Sequence, residues 1–194
     1  LMQFAQQLED GIKPIEIIRE VVREHKRIIF NGNNYTDEWV KEAEKRGLSN
    51  FKTTPDVLPH YIDEKNISLF ERHKIYTREE IVSRYEILVE NYNKTVNIEA
   101  KTMISMVKSD VMPAVSDFSN DMCVTVSNKH AVSKKINASV ETELAERSSE
   151  LLAKMFEDVN VLETKLKSVE SVANPQQISD YFRDEIIPVM EKLR

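Results

Sequence analysis

The chain has 194 residues, long enough for one domain or a domain with a smaller lobe, and its 33 acidic against 27 basic side chains give a net charge of -6. Neither half is basic, so a nucleic-acid surface is not expected. The single cysteine, Cys123, excludes an internal disulfide and any CxxC redox or zinc motif, and no run of about 18 apolar residues or cationic leader points to a membrane span or signal peptide. The expected setting is the reducing cytoplasm.

Apolar residues Leu1, Phe4, Ala5 and Leu8 already follow helical spacing with no cap ahead of them, which reads as the middle of something larger. Gly11 should stop this helix. A second is expected over 14 to 27, opened by Pro14 and presenting Ile17, Ile18, Val21 and Val22 on one face. The triplet Ile28, Ile29 and Phe30 suggests a short extended edge, and Asn31-Gly32 a tight turn with left-handed backbone. Thr36 is placed to cap a helix with Asp37 and Glu38 in its first turn and Gly47 at its end.

Two short helices are expected near 56 to 62 and 65 to 72. At Thr77 the pattern changes. Thr77 and Glu80 form a capping box, Tyr76 and Ile81 a hydrophobic staple, and the apolar series Ile81, Tyr85, Leu88, Tyr92, Val96, Ala100, Met103, Val107, Val111 predicts one long amphipathic helix. Pro113 should kink or stop it between Ser109 and Pro113, with a continuation to about 128. A further long helix is expected over 136 to 172, and Asn174-Pro175 opens a last one through Phe182 and Leu193. The fold class is therefore mainly all-α: a long antiparallel bundle of three rods, on the order of 50 Å long, after a smaller helical lobe with at most a short extended segment.

Motifs for chemistry are missing. All glycines lie at Gly11, Gly32 and Gly47, so no glycine-rich phosphate loop exists beyond position 47. None of His25, His60, His73 and His130 has a glutamate three positions earlier, and there is no HExxH, so no metal ligands are assigned. Glu86, Glu90 and Glu99 would hold a cation only if buried together, and read better as solvated side chains. Glu141, Glu143, Glu146 and Glu150 form a polar helix face. Ser148 and Ser149 lack a nucleophile elbow, and Cys123, between Met122 and Val124, reads as a packed thiol. Tyr76, Tyr85 and Tyr92 have no basic groove beside them and fit a core better than a stacking platform. No catalytic, cofactor-binding or metal-binding residue is assigned. The remaining polar candidate is the loop with Asn31, Asn33, Asn34 and Tyr35, suited to ordering a turn or contacting another domain or subunit.

The wording of several segments is more specific than any of these motifs. HKRIIFNGNNYTDEWVKEAEKRGL at 25 to 48, NFKTTPDVLPHY at 50 to 61, KNISLFERHKIYTREEIVSRYEILVENY at 65 to 92 and NIEAKTMISM at 97 to 106 resemble the C-terminal part of a type III glutamine synthetase. That family joins ammonia to L-glutamate with ATP through a γ-glutamyl phosphate. It uses Mg2+ or Mn2+ and assembles as a dodecamer of two six-membered rings. The resemblance implies that the metal and ATP ligands lie upstream of residue 1, so none is carried onto this chain. It further implies that residues 1-75 are the terminal portion of the catalytic region and 76-194 a helical bundle, with the rest of the catalytic domain as partner. The segment would then be inactive alone and serve structure, subunit packing or cleft covering. The alternative is a freestanding helical module that takes a partner helix in a groove.

Overall fold

Glycine ends and proline starts mark several of the helices in the computed structural model, which describes residues 2–194. Its described residues are helical or irregular, with no strand. The chain forms two compact units, residues 1–52 and 53–194, so by packing it divides at 52/53. Residues 53 to 75 pack with the long helices that follow them.

The first unit holds α1 (Met2–Glu9), α2 (Pro14–Glu24) and α3 (Asp37–Lys45), with a single 3-10 turn at Lys26–Ile28. Gly11 and Gly47 take positive φ, +83° and +70°, and each ends its helix with a bond from the next residue's N–H to the carbonyl five residues back, Ile12 to Gln7 and Leu48 to Ala43. Glycine is favoured there because a Cβ opposes left-handed backbone. The expected extended edge at Ile28 to Phe30 is not a strand: with no partner strand within reach, the chain closes a 3-10 turn and then runs irregularly.

In the second unit, α4 (Thr54–Val57) leads into a 3-10 turn at Leu58–Ile62, then α5 (Glu64–Arg72). α6 (Arg78–Met106) follows, with the capping box of Thr77 and Glu80 formed in both directions. Its buried positions are Ile81, Val89, Val96 and Ala100. Leu88, expected inside, is exposed and Val89 is buried instead. The two adjacent apolar residues satisfy helical spacing equally well, and packing against neighbouring helices selects Val89.

Pro113 neither stops the helix nor breaks its run of helical residues. A π turn at Val107–Val111 joins α6 to α7 (Met112–Val132), giving a contour of roughly 80 Å at the α-helical rise. A proline ring clashes with the carbonyl four residues earlier, and the wider π turn relieves that conflict at Ser109. The same device recurs at Phe182–Ile186, a π turn two residues before Pro188, between α9 (Pro175–Tyr181) and α10 (Ile187–Leu193). α9 starts where Asn174 Oδ1 accepts from the N–H groups of Gln176 and Gln177, at 2.9 and 3.2 Å.

α8 (Ser139–Val169) returns antiparallel along α7 and then along α6. The core lies where three rods meet, α6, α8 and α9–α10, and consists of Val96, Ala100, Leu162, Phe182, Ile186 and Met190. The third rod is short. Beyond this base only α7 and the first half of α8 remain, a two-helix hairpin in which α7 has no buried residue. Cys123 is accordingly exposed, correcting the expectation of a packed thiol, because among the described residues α8 is the one helix that packs along the length of α7 and leaves its other faces open.

Candidate functional site

The loop 30 to 36 is built on a stack of three side chains. Phe30 and Trp39 have ring centroids 4.5 Å apart, and the Arg46 guanidinium carbon lies 5.9 Å from each centroid. Arg46 reaches there from the end of α3: its Nε donates to Glu42 Oε1 at 2.6 Å and its Nη1 to the carbonyls of Ile29 and Arg27, at 2.6 and 3.2 Å. The Glu42 carboxyl is held below its ordinary range first by that hydrogen bond from Arg46. One arginine thus ties an irregular strip of backbone to a helix.

Neither Asn31 nor Gly32 takes positive φ, so the left-handed turn expected there is absent. Gly32 is small for another reason: a Cβ on it would lie 2.5 Å from Cε1 and Cζ of Phe30, whose ring folds back across it. Gly32→Ala should therefore push Phe30 off Trp39, at about 1 kcal/mol of stacking. Trp39 is the sole tryptophan, so its emission should shift to the red. Unchanged emission would show that the ring finds another seat on Trp39.

Of the predicted contact residues, Asn33 works internally. Its Oδ1 accepts from the Tyr35 N–H at 3.0 Å, and its carbonyl accepts from the Thr36 hydroxyl at 2.9 Å. Thr36 occupies the cap position of α3 but does not accept from the helix, because that hydroxyl is turned to Asn33. Asn31 and Asn34 are exposed, and Tyr35 is 99% exposed. The loop brings the four residues together with Tyr35 as its outermost group.

A second polar cluster, in the base of the second unit, was not predicted. Arg183 grips Asp184 with two parallel bonds, Nε to Oδ1 at 2.7 Å and Nη2 to Oδ2 at 2.8 Å, and its Nη1 donates to Asp56 Oδ1 at 2.7 Å and Asp180 Oδ1 at 3.2 Å. These bonds raise Arg183 above its already high range and lower Asp184. Beside it, Tyr85 Oη donates to Gln176 Oε1 at 3.0 Å, and Gln176 Nε2 donates to the Pro55 carbonyl at 3.0 Å. Ser179, fully buried, donates to Asn93 Oδ1 at 2.8 Å. Burial raises the phenols of Tyr85 and Tyr92 above the ordinary tyrosine range. The carboxylates face a permanently charged arginine and the hydroxyls face amides, so the cluster fastens 53 to 62 to α6 and α9 rather than moving protons.

The remaining candidates lie apart. Glu86, Glu90 and Glu99 are exposed on α6, and Glu90 pairs with Lys94 at 2.6 Å. Glu141 pairs with Lys129 at 2.6 Å, a hydrogen bond that lowers its carboxyl. His60 Nδ1 lies 2.9 Å from Asp63 Oδ2 within one turn. Among the described residues, no group of three or more His, Cys, Asp or Glu is arranged to hold a metal ion, and no helix is long and apolar enough to cross a membrane. A cleft of about 600 Å3 between α6, α8 and α9 has an apolar floor including Ile104 and Phe182, and a rim of mixed charge, Lys101 and Lys167 beside Glu163 and Glu170.

An all-helical domain whose buried polar groups and arginines fasten helices to one another is the class that this arrangement defines. Residues 14–130 match the family described as the glutamine synthetase C-terminal domain, and the chain belongs to that family. It is 38% identical over 97% of its length to a glutamine synthetase of Butyrivibrio fibrisolvens, of which it covers 27%, and 30% identical over 92% to a type-3 glutamine synthetase of Dictyostelium discoideum, of which it covers 25%. A glutamine synthetase of Bacteroides fragilis (strain YCH46) is 29% identical over 58% of the chain, which covers 16% of it. The chain spans about a quarter of the length of the first two.

Proposed function

We propose that this chain is the non-catalytic C-terminal portion of a cytoplasmic, ATP-dependent glutamate–ammonia ligase, the enzyme that converts L-glutamate, ammonia and ATP to L-glutamine, ADP and phosphate. The observation that carries the reading is the match of residues 14–130 to a family of C-terminal domains, in a chain that spans about a quarter of the Butyrivibrio fibrisolvens and Dictyostelium discoideum relatives. In this reading ATP and Mg2+ or Mn2+ are bound by the remainder of the catalytic domain. The segment serves packing of subunits in a dodecamer or covers the cleft, with the loop of Asn31, Asn33, Asn34 and Tyr35 facing the neighbouring domain or subunit. Its support is local: the arginines of both polar clusters are consumed by internal carboxylates and carbonyls, while Tyr35 presents its ring outward.

Phosphate release with ATP, glutamate, ammonium and magnesium tests this on the 194-residue chain beside the intact polypeptide. Turnover is expected only from the intact polypeptide. Metal-dependent turnover by the chain alone would place catalytic ligands within it and overturn the reading.

A further inference from the structure

The hairpin of α7 and the first half of α8 is an incomplete bundle. Each helix turns one stripe toward the other, and a second apolar stripe on each opens to the same side: Val111 at the end of the π turn, Ala114 and Phe118 on α7, and Leu151 and Met155 on α8 line a cleft of about 550 Å3. Phe118 is 44% exposed and Leu151 50%. Antiparallel helices with such a stripe form a closed core when two more helices cover it.

The charges beside the cleft say which helices those are. Helical spacing sets Asp110 of the π turn and Asp117 of α7 along one edge and Arg147 and Lys154 along the α8 edge. All four are exposed, and none takes part in an ion pair among the described residues. The register is fixed by Ser119, whose Oγ lies 3.5 Å from the Ala145 carbonyl. Because the helices run antiparallel with equal rise, two residues back on α7 is level with two residues on along α8. Asp117 therefore stands level with Arg147, and Asp110 with Lys154, on opposite edges of one cleft.

We propose that this face docks on the same face of a second copy of this chain, about a two-fold axis parallel to the helices, so that α7 of one copy lies over α8 of the other. Such an axis preserves height along the helices while exchanging the two edges. Asp117 then meets Arg147 of the other copy and Asp110 meets Lys154, twice over, against one like-charged level, Asp121 with Glu143, around a core of Phe118 and Leu151 from both. An axis perpendicular to the helices would instead stack α7 on α7 and set the aspartates against each other, which like-charge repulsion disfavours. The proposal deepens the subunit-packing part of the reading above and rests on it only in treating the chain as an element of assembly.

Sedimentation of the 194-residue chain without ATP, glutamate or metal tests it separately from turnover. The wild-type chain should dimerise reversibly. Asp110→Lys with Asp117→Lys, and Arg147→Glu with Lys154→Glu, should each weaken self-association at least about tenfold. Mixing the two variants should recover a heterodimer, because each then supplies the charges that the other has reversed. A monomeric wild-type chain at about 0.1 mM, variants that associate like wild type, or a mixture of two folded variants that stays monomeric would each overturn the proposal. If a double variant loses its helical circular dichroism, Asp117→Lys and Arg147→Glu alone are read in the same way.

Discussion

Phe182→Ala should destabilise the second unit by about 3–5 kcal/mol, the largest effect expected of a single substitution in this chain. Phe182 is 1% exposed and stands at the centre of the cluster that joins three rods, against Val96 and Ala100 of α6, Leu162 of α8 and Ile186 and Met190 along its own rod. The neighbours cannot collapse onto an alanine there. Ala100 already has the smallest side chain that permits close approach, and Leu162 and Ile186 are fully buried with packing of their own. A domain of this size has a total stability of about 5–15 kcal/mol, so the loss is a large share of it. Thermal unfolding followed at 222 nm should show a midpoint lower by roughly 10 °C or more. Phe156→Ala removes the same ring from a site 52% exposed on α8 and should cost far less, below about 1 kcal/mol. Equal losses in the two variants would mean that the three-rod core does not hold the unit together.

The cluster around Phe182 also shows which parts of the architecture the sequence carries openly. Local signals were legible because they act within one turn: the Thr77–Glu80 box, the Asn174–Pro175 start, and the glycine ends at Gly11 and Gly47 all formed where residue chemistry places them. The long periodic segments were legible too, and with them the all-α class. Choices between equivalent local solutions were not. Leu88 and Val89 fit one stripe equally, and only the neighbouring helices decide between them. Pro113 signals a conflict with Ser109, but a kink, a stop and a π turn all resolve it, and the packing of α7 on α8 favours the one that keeps the rod going. An Asn-Gly pair signals backbone freedom, whereas the smallness of Gly32 answers to the Phe30 ring. The loop of Asn31, Asn33, Asn34 and Tyr35 was found by composition alone, since three amides between two aromatics mark a polar turn. The Arg183 cluster left no such mark: its partner Asp56 lies 127 positions away, in a segment whose two prolines and short helices give no hint of what they pack against.

Arg183→Met should show how much that distant tie contributes. Methionine keeps an aliphatic stem of similar reach, so the variant removes the charge and its hydrogen bonds while leaving most of the packing. The guanidinium is a quarter exposed and its carboxylate partners are more so, which places the expected loss at about 1–2 kcal/mol rather than at the level of a buried pair. Part of the loss belongs to the Asp56 contact, the link between α4 and the last rod. Asp56→Asn should therefore cost clearly less in the Arg183→Met background than in wild type. Acid should narrow the difference between wild type and Arg183→Met. The hydrogen bond from Arg183 keeps Asp184 ionised in the folded chain at a pH where the unfolded chain already takes up protons. Its stabilisation is therefore full above the ordinary carboxylate range, near pH 4, and is lost as pH falls through the lower folded value. Arg183 itself stays cationic throughout. Urea unfolding from pH 7 down to pH 3 should find the two proteins furthest apart at neutral pH and converging at the acid end. A constant gap across that range, or full additivity with Asp56→Asn, would assign the effect to lost packing instead of to the charges that fasten residues 53 to 62 to the bundle.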